Sequence, residues 1–186
     1  MARWAHVMSS LRGQWLPGDL RGFRDHGHRI HSSGDYKNPP PPEEHAGLRG
    51  YARRIAREPV ELTVAQRAVV GAALVEKLLE MEIRTAALAC CATHAHALIR
   101  VGDQDAKPIF GRAKQLASLR VSEEIPGKMW GASSKVVRIK NLGHFIEVRR
   151  YILRHKHEGA WTWYEERLAK ELEESQGSGG GEESTE

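Results

Sequence analysis

Residues 93–101 read Thr-His-Ala-His-Ala-Leu-Ile-Arg-Val, an alternation that fits a β-strand and constrains whatever forms around it. Side chains alternate across a strand, so Ala95, Ala97, Ile99 and Val101 can face a core while His94, His96, Leu98 and Arg100 face the other side. Two imidazoles projecting in parallel from a rigid strand suit a divalent metal. The plain alternative is a polar strand face with incidental histidines. Spacing alone does not choose. Ten histidines give three His-x-His pairs, His26/His28, His94/His96 and His155/His157, where chance gives roughly half of one. His26, His28 and His31 lie in a Gly-rich stretch that could hold a metal or phosphates but preorganises little. His157 falls on a different helix face from His155.

The surrounding sequence divides into elements. Residues 5–16 can hold a first strand, and Trp15-Leu-Pro-Gly-Asp19 turns the chain. Residues 17–60 are rich in Gly, Pro, His and Arg and read as a long loop or insertion, with Pro39–Pro42 a stiff polyproline piece. Thr63 and Gln66 form a capping box that opens a helix ending near Glu82. Val64, Ala68, Val69, Ala72, Val75, Leu78 and Leu79 supply its period. Arg84–Ala92 reads as a strand of small apolar residues, joined to the histidine strand either by a tight hairpin or as one bent strand. A loop over Asp103–Pro108 precedes a second helix from Ile109 to Glu124. Phe110, Ala113, Leu116, Ala117, Leu119 and Val121 are available for its buried side, and Pro126-Gly127 stops it. Lys135–Lys140 alternates as a strand, and Asn141 can cap a third helix running to about His157, with Gly159 as terminator. Residues 161–176 suggest a short acidic helix, and 177–186 a Gly/Ser/Glu tail with no means of packing. The order of elements gives an α+β fold with an antiparallel sheet and helices packed on one face.

On the third helix Phe145, Val148, Ile152 and Leu153 make the buried side. Glu147, Tyr151 and His155 form another line at steps of four. Arg149, Arg150, Arg154 and Lys156 surround that line. A tyrosine among cations has its phenolate stabilised and sits where phosphate is attracted. A tyrosine at the edge of a core is the plain alternative. Taken with the strand, three imidazoles and one phenol can converge on one metal-centred site.

Charge supports a nucleic-acid partner. The net charge of the chain is +4, but residues 161–186 carry eight glutamates against Arg167 and Lys170, so residues 1–160 hold 26 basic and 16 acidic side chains. Such a body is a candidate nucleic-acid binder, or simply a soluble basic domain. No run approaches the roughly 18 apolar residues of a membrane span, and Met1-Ala-Arg-Trp-Ala-His lacks the apolar core of a signal peptide. A cytoplasmic, nucleoid-associated protein with no membrane partner is expected. Adjacent Cys90 and Cys91 read as small buried thiols rather than a disulfide or zinc motif.

The combination of His94-Ala95-His96 with apolar Ala97-Leu98-Ile99, Trp130 in Lys128-Met-Trp-Gly, and Tyr151-Ile-Leu-Arg-His155 resembles the HUH single-tyrosine transposases, nearest the REP-associated tyrosine transposases of bacteria. The segment Trp15–Asp19 is similar to one found in a subgroup. The resemblance spans residues 5–163. It implies a ferredoxin-like antiparallel sheet with both histidines on a central strand, a divalent metal, Mg or Mn, and a helix presenting the nucleophile. His94 and His96 are then metal ligands, Tyr151 the nucleophile, and His155 stands where the family commonly has Gln or Asn completing the metal site. Ala92-Thr93 replaces the frequent Pro-Asn before the first histidine, and His155-Lys156 the frequent Asn-Pro. The implied activity is cleavage and strand transfer of single-stranded or hairpin DNA through a 5′-phosphotyrosine. Arg100, Lys135, Arg138, Lys140, Arg149, Arg150 and Arg154 are candidates for backbone contacts. Trp130 either stacks on a base or belongs to the core. A homodimer is as open as a monomer. The alternatives are a hairpin-binding protein that does not cleave and a metal-dependent nuclease that uses water.

Overall fold

The computed structural model describes residues 3–20, 22–25, 28–30, 33, 38 and 40–168. In chain order its elements are β1 (Trp4–Leu11), β2 (Phe23–Asp25), β3 (His28–Ile30), α1 (Ala46–Ile55), α2 (Val64–Glu80), β4 (Thr85–Cys90), β5 (His94–Arg100), α3 (Ala106–Arg120), β6 (Trp130–Arg138), α4 (Leu142–Arg154), a 3-10 turn (His155–Glu158) and β7 (Trp161–Tyr164). Five strands form one sheet in the order β6-β1-β5-β4-β7, and every pair is antiparallel. Without β7 this is the 4-1-3-2 order of a βαββαβ unit, so the ferredoxin-like arrangement is present with a fifth strand added beside β4. Cys91 N–H donates to His94 O at 2.8 Å, closing β4 and β5 as a tight hairpin rather than one bent strand.

Small side chains allow the middle of this sheet to be covered twice. β4 reads Thr-Ala-Ala-Leu-Ala-Cys and is buried at every position, as a short continuous apolar run requires. On one side Ala5, Val7, Leu88, Ala95, Ala97 and Ile99 pack against Val70, Leu74 and Leu78 of α2 and Phe110 and Ala113 of α3. On the other, Trp4, Ala87, Ala89 and Leu98 pack against Phe145 and Ile152 of α4. Sharing of one face therefore holds for α2 and α3, whereas α4 covers the opposite face. The reason is parity: Leu98 is apolar on the histidine side of β5, and that side also needs a lid.

Local signals place most boundaries. Thr63 and Gln66 make the reciprocal capping box, and Asn141 Oδ1 accepts from His144 N–H at 2.9 Å at the start of α4. α3 begins at Ala106 rather than Ile109, because Asp105 caps it and Pro108 falls in the first turn, where no N–H is needed. β6 begins at Trp130, five residues before the expected alternation, and pairs with β1 across an irregularity at Ser9/Leu11. Trp130 is core: it is buried, and its indole N–H donates to Lys114 O at 3.1 Å.

Three expectations are corrected. The long segment 17–60 contains the β2–β3 pair and α1. Residues 161–164 form β7 on the free edge of β4, so the acidic helix does not begin there; Trp161 and Trp163 rest on the main core and their burial outweighs the acidic character downstream. The buried stripe of α2 is Val70, Gly71, Leu74, Val75 and Leu78, while Val64, Val69 and Leu79 are exposed. Gly71 decides that rotation. A Cβ there would lie 2.1 Å from Trp161 Cε3, so the ring of β7 occupies the space of a missing side chain. His26, His31 and residues 169–186, including the expected tail, lie outside the described residues. Among the described residues no helix is long and apolar enough to cross a membrane.

Candidate metal and tyrosine site

The site grows from strand parity. β1 and β5 pair with His6 opposite Leu98 and His96 opposite Met8, so His6 and His96 are diagonal neighbours on the face that carries α4. His6 Nε2 lies 3.0 Å from His96 Nδ1, and both rings are buried, at 6% and 3% exposure. α4 crosses above them and delivers Tyr151 and His155 from successive turns of one helical line. Ring centroids of His96 lie 4.8 Å from those of both His94 and His155 and 5.4 Å from Tyr151. Tyr151 and His155 are 4.8 Å apart. The structure thus brings His94, His96, Tyr151 and His155 together.

A carbonyl partner fixes which nitrogen of His155 is free. His155 Nδ1 is 3.0 Å from Tyr151 O. A carbonyl only accepts, so Nδ1 carries the proton and Nε2 offers a lone pair. His96 Nε2 is buried without a hydrogen-bond partner among the described residues. In the tautomer that donates His96 Nδ1–H to His6 Nε2, the neutral ring keeps a lone pair on Nε2. Buried polar atoms are rarely left unpaired, and an unpaired imidazole nitrogen among two other imidazoles is what a metal ligand looks like before the ion is considered. His94 Nδ1 is 3.0 Å from Thr93 Oγ1.

Burial, reinforced by neighbouring groups, favours the neutral state of His6, His94 and His96 that metal ligation needs. Burial first, then His144, Lys135 and His155, lower the pKa of His6 from 6.5 to about 4. Burial, then His94, His6 and His155, lower His96 to about 2. His94 is lowered by burial and His155, with Glu158 opposing. Tyr151 departs from expectation. Its phenol is raised, chiefly by burial, with Cys91 and Glu158 adding to the rise and Arg154 opposing it. The cations line the helix, but among the described residues Arg154 is the one that approaches the ring, 5.9 Å from its centroid, and loss of water outweighs it.

The basic residues separate by parity. Lys135 lies opposite Met8 and so shares the histidine face; it is exposed, as is Arg100 at the end of β5. Arg138 lies opposite Ala5 and turns to the α3 side, where its guanidinium donates to Gly102 O at 3.1 Å and Gln104 O at 3.4 Å. It is a structural clamp on the loop before α3. Lys140, Arg150 and Arg154 are exposed. Arg149 is half-buried, its guanidinium 5.7 Å from the Tyr164 ring.

Sequence reasoning missed two members of the cluster. His6 was legible only as a polar residue in an apolar strand; the signal that could have found it is its even parity with Trp4 and Met8. Cys91 is the other. Its sulfur and one nitrogen each of His94 and His155 lie within 4.8 Å of one another, whereas the sequence offers only two adjacent thiols. Cys90, one residue earlier, points into the opposite core.

No protein-family profile matches the chain, and no curated protein does. A solved tyrosine transposase shares the fold. It is a REP-associated tyrosine transposase bound to a REP hairpin, similar at a TM-score of 0.50 and 10% identity over 85% of this chain and 69% of that one. At that identity the likeness is one of fold.

Proposed function

We propose that this chain is a metal-dependent, single-tyrosine DNA strand transferase that cleaves single-stranded DNA beside a hairpin and rejoins it. The observation that carries the reading is the buried His96 ring, whose Nε2 has no hydrogen-bond partner among the described residues and whose centroid lies 4.8 Å from those of His94 and His155, with a half-exposed Tyr151 beside the same cluster. A fold shared with a transposase bound to a REP hairpin supports the same reading, as does the basic body.

His94, His96 and His155 would hold a divalent metal, which would supply Lewis-acid polarisation of the scissile phosphodiester and neutralise charge developing on it. His6 holds His96 in the tautomer that exposes Nε2. Ile152 and Phe145 anchor α4 to the sheet, so the Tyr151 hydroxyl is presented by a rigid element rather than a loop. Tyr151 attacks phosphorus and forms a 5′-phosphotyrosine while the 3′-oxygen leaves. The phenol loses a proton and the leaving 3′-hydroxyl gains one, so the exchange is neutral. The ester retains the bond energy, and a second 3′-hydroxyl can reverse the step without a nucleotide cofactor. Arg154, beside the ring, and exposed Arg100, Lys135, Lys140 and Arg150 neutralise the flanking phosphates.

The test is incubation of wild type and Tyr151→Phe with labelled single-stranded DNA carrying hairpins and a divalent metal, resolved on a denaturing gel. A metal-dependent covalent band present only with Tyr151 is the expected result. Free cleaved DNA from both proteins would assign the chemistry to water, and binding without product from either would assign a non-cleaving hairpin binder.

A further inference from the structure

The cluster holds a donor that the proposed reaction does not use. Cys91 follows β4 directly and is the first residue of the turn into β5. Its side chain continues the parity of Ala87 and Ala89, on the face of His94 and His96. The residue is buried, at 8% exposure. The hairpin bond from Cys91 N–H to His94 O, at 2.8 Å, holds the two residues across from each other. The thiol sulfur and one nitrogen each of His94 and His155 lie within 4.8 Å of one another, so small side-chain shifts bring all three onto one ion. A lone buried cysteine carries no such meaning. The second, independent observation here is the His96 ring, 3% exposed and with no hydrogen-bond partner for its Nε2 among the described residues, whose centroid lies 4.8 Å from those of both His94 and His155.

We propose that Cys91 is a ligand of this centre together with His94 and His155, with His96 alongside, and that the centre takes a borderline-soft divalent ion of the Zn²⁺ or Co²⁺ kind in preference to Mg²⁺. This rests on reading the cluster as a metal centre. The described ligand atoms that lie within 4.8 Å of one another are nitrogen and sulfur, without a carboxylate among them, and Glu158 acts on Cys91 and His94 only from outside that group. Mg²⁺ binds oxygen ligands in near-octahedral geometry and keeps its waters, whereas imidazole and thiolate together favour Zn²⁺ and Co²⁺. On ligation the Cys91 thiol gives up its proton to solvent, and the sulfur stays bound as thiolate. Zinc tolerates a fifth ligand during reaction, so a phosphate oxygen can still enter.

The experiment is titration of Co²⁺ into the metal-free full-length protein, followed by absorption spectroscopy, with Mg²⁺ competition. Wild type is expected to show a near-ultraviolet sulfur-to-cobalt charge-transfer band and intense visible d–d bands, undisturbed by excess Mg²⁺. Cys91→Ser, which keeps the size of the side chain, is expected to lose the charge-transfer band yet keep its circular dichroism. Cys90→Ser, facing the other core, is expected to retain the band. Cobalt binding with no charge-transfer band in wild type would overturn the proposal, as would a band that survives in Cys91→Ser or ready displacement by Mg²⁺. The covalent-adduct gel reads the strand-transfer chemistry separately. A thiolate band without adduct leaves this inference standing and the proposed function refuted; an Mg²⁺-dependent adduct without the band does the reverse.

Discussion

Acid should destabilise the metal-free protein well before its carboxylates titrate, and the two buried histidines of the sheet set the size of the effect. In the folded chain His6 has its pKa lowered from 6.5 to about 4 and His96 from 6.5 to about 2. A folded pKa below the unfolded one means that the unfolded chain takes up the proton first. The stability these rings contribute is present above pH 6.5 and falls as pH drops through 6.5 towards the folded values. Between about pH 7 and about pH 5 each ring costs about 2 kcal/mol of folding stability, roughly 4 kcal/mol for the pair, and His94 shifts in the same direction. The assay is urea denaturation in chelator, followed by the fluorescence of the five tryptophans, at both pH values. His6→Gln keeps an amide able to hydrogen-bond His96 Nδ1 and removes one titrating ring, so its loss should be smaller by about 2 kcal/mol. Equal losses in wild type and His6→Gln would refute the assignment, and a wild type equally stable at both pH values would refute the burial argument altogether.

Two further outcomes follow from packing and parity. Gly71→Ala places a methyl carbon 2.1 Å from Trp161 Cε3; overpacking of about 1–3 kcal/mol outweighs a helix-propensity gain of about 1 kcal/mol, so the melting temperature should fall. Gly111→Ala, in α3 with open space around it, should instead rise slightly in the same melt. Lys135→Ala should lower the salt slope of hairpin DNA binding by about one phosphate contact, whereas Arg138→Ala, whose guanidinium is tied to Gly102 and Gln104, should leave that slope unchanged in fluorescence anisotropy.

Much of the local architecture was legible because its causes are local. The Thr63 capping box, the Asn141 cap, the alternation of residues 94–100 and the spacing of Tyr151 and His155 each involve residues within one or two turns or pleats. Propensity and hydrogen-bond geometry act at that range. The α2 stripe was misjudged by one residue because its period is ambiguous in an Ala/Val-rich helix, and Trp161, 90 positions along the chain, chose between the alternatives by filling the space at Gly71. The strand at 161–164 was hidden for a similar reason: β4 offers a free edge to pair with, which the glutamate-rich composition around it does not reveal.

By itself the sequence determined the parity of His94 and His96, the shared helical line of Tyr151 and His155, and the α+β order of elements. The tertiary structure decided that these lines meet, that α4 rather than α2 or α3 covers the histidine face, that His6 supports His96, that Cys91 enters the cluster and that Arg138 turns away from it. Parity is a property of a single strand and is written every two residues. Convergence depends on the register between β1 and β5 and on which face each helix finds apolar, and those are settled only when residues ninety positions apart come into contact.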